Sequence, residues 1–172
     1  LEGAGGILDE TVDLRFEGDG AATIRTGVQA MGQSHLTTYT RLVGERLGIP
    51  ASKVRLVEGD SLEVPAGTPS VASRSMMMAG SAMAMSCDTA IDKGRALAGH
   101  VLEASAADVE FTDGVFRIKG TDREIGILDL ADRIAGMELP DDLAGGLVAV
   151  EKFVSPQMTF PNGCHICEVE ID

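Results

Sequence analysis

The sequence predicts an α+β fold, a mixed sheet of hairpins with packed helices, one of them long and rich in Met and Ala. Three observations carry this. Apolar residues alternate in several short stretches, as in half-buried strands. They recur every three or four residues in others, as in amphipathic helices. Strand pairs and helices are also interleaved along the chain, which favours a mixed sheet over a doubly wound parallel one.

Residues 10–17, ETVDLRFE, place Val12, Leu14 and Phe16 on one face and Asp13 and Arg15 on the other. Gly18-Asp19-Gly20 follows, then AATIRTGVQ, again strand-like. Gly and Asp tolerate the positive φ of tight turns, so the two runs form a hairpin. From about Ser34 the period changes: Leu36, Tyr39, Val43 and Leu47 recur at helical spacing, and Gly48 and Pro50 are stop signals. KVRLVEGD, 53–60, is a further strand, and SLEVPAGTPSVAS is a loop. Arg74 to Ala106 is filled with Met, Ala, Ile and Leu, which is either one long buried helix or a helix bent near Gly94. DVEFTDGVFRIKG, 108–120, forms a second hairpin turning at Asp113-Gly114. EIGILDLADRIAG gives a short helix, LVAVEKFV a strand, and CHICEVEID at the end alternates as a last strand. No linker divides the chain, so residues 1–172 form a single unit.

The totals exclude some classes. With 14 basic and 27 acidic side chains the net charge is −13, a field that repels a phosphate backbone and disfavours nucleic acid. No apolar run approaches the ~20 residues of a membrane span. The chain starts at Leu1 with no signal-peptide pattern and no initiator Met, so it reads as a piece of a longer protein. Three cysteines, Cys87, Cys164 and Cys167, are no disulfide framework, and a cytoplasmic setting is expected.

Several motifs carry no chemistry. Cys164 and Cys167 bracket CHIC, but positions i and i+3 of a strand face opposite sides and no second pair exists. EGAGG, 2–6, lacks a dinucleotide fingerprint, because Leu8 stands at the last Gly position. Of His35, His100 and His165 only His35 is notable, since it starts a helix beside Gln33.

Two stretches are more informative. In SVASRSM, 70–76, Ser70, Ser73, Ser75 and Arg74 cluster where a loop enters the long helix. Free N–H groups and the helix dipole suit such a terminus to an anion, and Arg adds a planar fork for phosphate. The plainer reading is that Ser73 or Ser75 caps the helix. AMGQSH, 30–35, has the same design on the first helix. Ser34 as N-cap is the plain reading; the alternative is that Gly32 permits close backbone approach while the Gln33 amide meets a ligand's polar edge. Together the two starts could face one anionic ligand.

The run from EGAGG through ETVDLRFEGDGAATIRTGVQAMGQSHLTTYTRLVGERLGIPASKVRLVEGDS to VPAGTPSVASRS, with the tail FPNGCHICEVEID, resembles the molybdopterin-binding large subunit of the xanthine dehydrogenase family, whose relatives include aldehyde oxidase and carbon monoxide dehydrogenase. The resemblance is collinear and spans essentially the whole chain. It implies an α+β molybdenum-cofactor domain, here partial and truncated at both ends. It implies molybdopterin carrying molybdenum, in bacteria often as the cytosine dinucleotide, with few or no direct protein ligands to the metal. It also implies hydroxylation of a small-molecule carbon centre with oxygen from water, with electrons passed to iron–sulfur clusters and FAD on other subunits or domains, in a complex that could be a dimer. Matched by motif, Gln33 would stand beside an oxygen ligand of molybdenum, with Met31 and Gly32 lining the same turn. Ala72, Ser73, Arg74 and Ser75 would contact the pterin and its phosphate, with Ser70 nearby.

Two departures stand out. Ser34 occupies a position where the family usually has Gly. The family's general-base glutamate, in a Gly-rich motif, is not found before Asp172, and Glu168 and Glu170 are poor substitutes. The chain alone is therefore expected to be inactive. Competing readings are a non-catalytic module of the same fold that binds a phosphorylated ligand or a subunit, and an interaction domain using the Met-rich stretch 76–85.

Overall fold

A computed structural model describes residues 7–64, 67–160 and 163–171. Strands β1 (Asp9–Phe16) and β2 (Ala22–Thr26) form the predicted antiparallel hairpin, with Leu14 opposite Ile24. Gly18 and Gly20, at φ +70 and +71, supply the left-handed turn that a side chain would strain. α1 (His35–Leu47) then carries the chain across to β3 (Val54–Glu58), which lies parallel to β2. β7 (Val148–Val154) returns to the free edge of β1, giving a mixed sheet in the order β3-β2-β1-β7.

The long helix is single and unbroken: α2 runs Ser75–Val101. Its buried residues, among them Ala79, Ala82, Met83, Ser86, Cys87, Ala90, Leu97 and Ala98, recur every three or four positions and pack on β1, β7 and α1. Small residues on that stripe let the helix sit close to the sheet. At Gly94 there is packing rather than a bend: a Cβ there would stand 2.2 Å from Cζ of buried Phe116.

Phe116 belongs to the second sheet. β4 (Val109–Thr112) and β5 (Val115–Ile118) pair through Asp113-Gly114, both at positive φ. A short strand the sequence did not suggest, β6 (Glu124–Gly126), completes this three-stranded sheet. It leads directly into α3 (Ile127–Ala135), which buries Ile127, Leu130, Ala131 and Ile134.

Three expectations need correction. Residues 163–171 form no strand, and Ile166, Val169 and Ile171 are exposed, so the alternating tail has no sheet to join among the described residues. The stripe read on the first helix holds at Tyr39, Val43 and Leu47 but not at Leu36, which is 62% exposed; His35 is buried instead, its imidazole hydrogen-bonded to Glu58 on β3. The second strand stops at Thr26, and 27–34 is loop. The glycine-rich stretch 2–6 lies outside the described residues. None of the described helices is long and apolar enough to cross a membrane.

Candidate functional site

The loop 27–34 leaves β2 and turns into α1. Gly32 has φ +100 and open space around it, and Ser34 is left-handed at φ 64. Ser34 makes no side-chain cap; its carbonyl instead accepts from the Thr38 amide and hydroxyl, each at 3.0 Å. Left-handed backbone is cheap for Gly and costly for Ser, which gives a physical reason for glycine at this step. The Gln33 side chain braces its own loop. Nε2 donates to the Gln29 carbonyl at 3.1 Å, and Oε1 accepts from the Met31 amide. A primary amide has two N–H donors and two lone pairs, so one of each remains for a ligand.

Beneath this loop lies a buried polar group. His35 Nδ1 is 3.1 Å from Glu58 Oε2, while Glu58 Oε1 accepts from the Ala30 amide at 3.1 Å. His35 stacks on Tyr39, ring centroids 4.6 Å apart. His35 Nε2 and the Tyr39 hydroxyl are both buried without a hydrogen-bond partner among the described residues. Burial, helped by the negative charges of Glu58 and Glu10, pushes the Tyr39 hydroxyl well above its ordinary value, so it stays a neutral donor.

The second loop, 67–74, enters α2. Ala72 and Ser73 are consecutive left-handed residues, φ 54 and 56. Thr159 Oγ1 donates to the Ala72 carbonyl at 2.9 Å, and the Ser70 and Ser75 hydroxyls are 2.9 Å apart. Neither Ser73 nor Ser75 caps the helix, since the N-cap is Arg74 and it makes no capping bond through its side chain.

The two loops meet across a cleft of about 830 Å³. Met31 and Gln33 line it from one side, Ser70, Ala72, Ser73 and Ser75 from the other, as the sequence reading grouped them. Gly32 and Arg74 do not line it. Arg74 is the main correction, because its side chain is fully buried and all five of its N–H donors are engaged within the protein. Nε donates to the Ile7 carbonyl and Nη1 to that of Pro69, both at 3.1 Å; Nη2 donates to the Asp9 carbonyl, and both Nη atoms reach Glu10 Oε2 at 3.2 Å. It braces the loop and has no fork free for a phosphate.

His35, weighed from sequence, does line the cleft, and so do Thr38, Tyr39, Val71 and Met76, which it did not single out. Tyr39 stands four residues after His35 and hence on the same helical face, a signal masked by its place in the apolar stripe. Both helix starts open on this cleft, and neither first turn carries an acidic residue. First-turn amides, hydroxyls and two buried groups unpartnered among the described residues are the kinds of donor that suit a polar, anionic ligand. Among the described residues no three His, Cys, Asp or Glu side chains gather to hold a metal ion.

A family model, described as molybdopterin cofactor-binding domain, matches residues 2–172. The chain belongs to that family. Its similarity to individual members is distributed over its whole length. The carbon monoxide dehydrogenase large chain of Hydrogenophaga pseudoflava is 34% identical over 97% of this chain and 21% of its own. The gamma subunit of the 6-hydroxypseudooxynicotine dehydrogenase complex of Paenarthrobacter nicotinovorans is 32% identical over 100% of this chain and 22% of its own. The crystal structure of the Cu,Mo-CO dehydrogenase in its carbon monoxide reduced state superposes with a TM-score of 0.78 at 31% identity, over 88% of this chain and 19% of that one. Quinoline 2-oxidoreductase from Pseudomonas putida 86, 23% identical with a TM-score of 0.72, shares the fold. The chain thus spans about a fifth of the length of these relatives.

Proposed function

We propose that the cleft between the two helix starts is a molybdopterin site, and that the chain forms this part of a molybdenum hydroxylase large subunit. The observation that carries the reading is the convergence of both loops on one cleft lined also by His35 and Tyr39, whose buried Nε2 and hydroxyl have no hydrogen-bond partner among the described residues. A pterin with a phosphate offers the oxygens and ring edges that such donors and first-turn amides take. Ser70, Ser73 and Ser75 would hold its phosphate end, and the free valences of the Gln33 amide would orient the metal-bearing end. Arg74 contributes the shape of the loop.

When bound, the molybdenum group supplies hydroxylation of a carbon centre with oxygen from water, releasing two electrons. This chain's residues bind and orient that group. The Glu58 carboxylate, 3.1 Å from Nδ1, fixes the His35 ring at the cleft lining, and Tyr39 remains a donor across the physiological range. The same reading extends to a cytosine dinucleotide form of the cofactor, to iron–sulfur and flavin groups on other subunits or domains as electron acceptors, to association of the complex as a dimer, and to residues 1–172 as one part of a larger cofactor domain.

The test uses the full-length subunit expressed with molybdate and the cofactor-assembly genes. Molybdenum and pterin near one per chain are expected; values near zero overturn the reading in favour of a non-catalytic phospholigand module. Gln33→Ala should fold as wild type yet lose turnover by about 10²-fold, the scale of losing one orienting donor. Unchanged kinetics would remove Gln33 from the site.

A further inference from the structure

We infer that Glu10, a residue of β1 outside the cleft, is the positioning residue that sets the two cleft loops against each other. The inference rests on the molybdopterin reading for its purpose but not for its geometry. Glu10 is 3% exposed and lies on the apolar face of its strand, in phase with Val12 and Leu14. One carboxylate oxygen, Oε1, accepts from the Gly27 amide at 3.2 Å, where β2 gives way to the loop bearing Gln33. The other, Oε2, accepts from Thr68 Oγ1 and from both Nη atoms of Arg74, all in the loop bearing Ser73 and Ser75. A single buried carboxylate therefore ties the root of one loop to both ends of the other.

An independent observation marks the same point. Gly27 and Gly67 cross so closely that a Cβ on Gly27 would stand 2.0 Å from Gly67 Cα, and one on Gly67 2.2 Å from Gly27 Cα. The loops thus touch backbone to backbone where Glu10 binds both. Arg74 extends the tie to the Ile7 and Asp9 carbonyls at the start of β1. Ala72 and Ser73, left-handed without being glycine, persist only where the surroundings over-determine them, and Arg74 directly after them supplies that constraint. Charge explains why the brace is an ion pair. The Arg74 guanidinium is fully buried, so its positive charge requires a buried anion, and the remaining lone pairs of that anion are free to reach both loops.

Glu10→Gln in the full-length subunit tests this, read by amide hydrogen exchange before any cofactor is considered. Exchange should rise by about tenfold or more in 28–34 and 68–75 together, while the middle of α2 and β7 keep their protection. Gly94→Ala, which strains the α2 contact with Phe116, should leave the two loops' exchange unchanged relative to each other. Should Glu10→Gln fail to fold because Arg74 is left unpaired, the double variant Glu10→Gln/Arg74→Met removes both charges and should show the same paired loosening. Protection unchanged in either variant that folds, or loosening of one loop alone, overturns the inference. Molybdenum content separates it from the functional reading. Wild type without molybdenum but with the paired loosening defeats only the molybdopterin reading. Wild type with full molybdenum and unresponsive loops defeats only the role of Glu10. Where both hold, molybdenum content should fall in step with loop protection and be restored more by Glu10→Asp than by Gln.

Discussion

Ser34 shows how much one dihedral angle can explain. A serine at φ 64 bears a left-handed cost of roughly 1–2 kcal/mol, part of which glycine's larger unfolded-state entropy would offset. Its hydroxyl makes no cap, so nothing is lost by removing it. Ser34→Gly should therefore stabilise the protein by about 0.5–1 kcal/mol, raising its melting temperature by about 2 °C in a thermal scan. A fall in melting temperature would mean that the hydroxyl has a bonding role in the folded state. Residues also show where sequence reading stops. That Gln33, Ser70, Ser73 and Ser75 share one cleft was legible because polar residues cluster at both helix starts. Arg74 was misread because a cation beside serines looks the same whether it meets a phosphate or a carboxylate. Its partner, Glu10, lies 64 residues away and is visible in sequence only as a charge in phase with Val12, Leu14 and Phe16.

At the level of elements, α2 decides the packing. Gly94 costs about 1 kcal/mol of helix propensity against alanine, yet the Phe116 ring occupies the place of a side chain. Gly94→Ala should destabilise the protein by about 1–3 kcal/mol despite improving the helix, as seen in the urea midpoint. A gain would show that the ring shifts freely. The helices and hairpins were readable because their periods are local. β6 was not, since three residues carry no period and owe their strand form to pairing with β5. The tail failed in the opposite way: alternation makes a strand possible, but only a neighbouring strand makes it real.

For the molecule as a whole, the interior sets a pH limit. Burial pushes the Cys87 thiol from 9.0 up to about 12, with Arg46 opposing, and raises Tyr39 as well. The native state therefore holds these protons more tightly than the unfolded chain. Their contribution is complete below about pH 9 and is lost as the pH climbs from about 9 towards 12. Unfolding midpoints should be flat across that lower boundary and then fall steadily on the alkaline side. A Cys87→Ala variant should lose part of this slope, and an unaltered slope would assign it to other groups.

The pairing of β1 with β7 joins residues 9–16 to 148–154, nearly the full length of the chain. During synthesis at about 5–20 residues per second, β1 therefore waits on the order of ten seconds for its outer neighbour to emerge. Throughout that interval its edge is an unpaired ladder able to accept a strand from another nascent chain. The architecture that seats β7 beside β1 last also makes the growing polypeptide a client for protection on the ribosome.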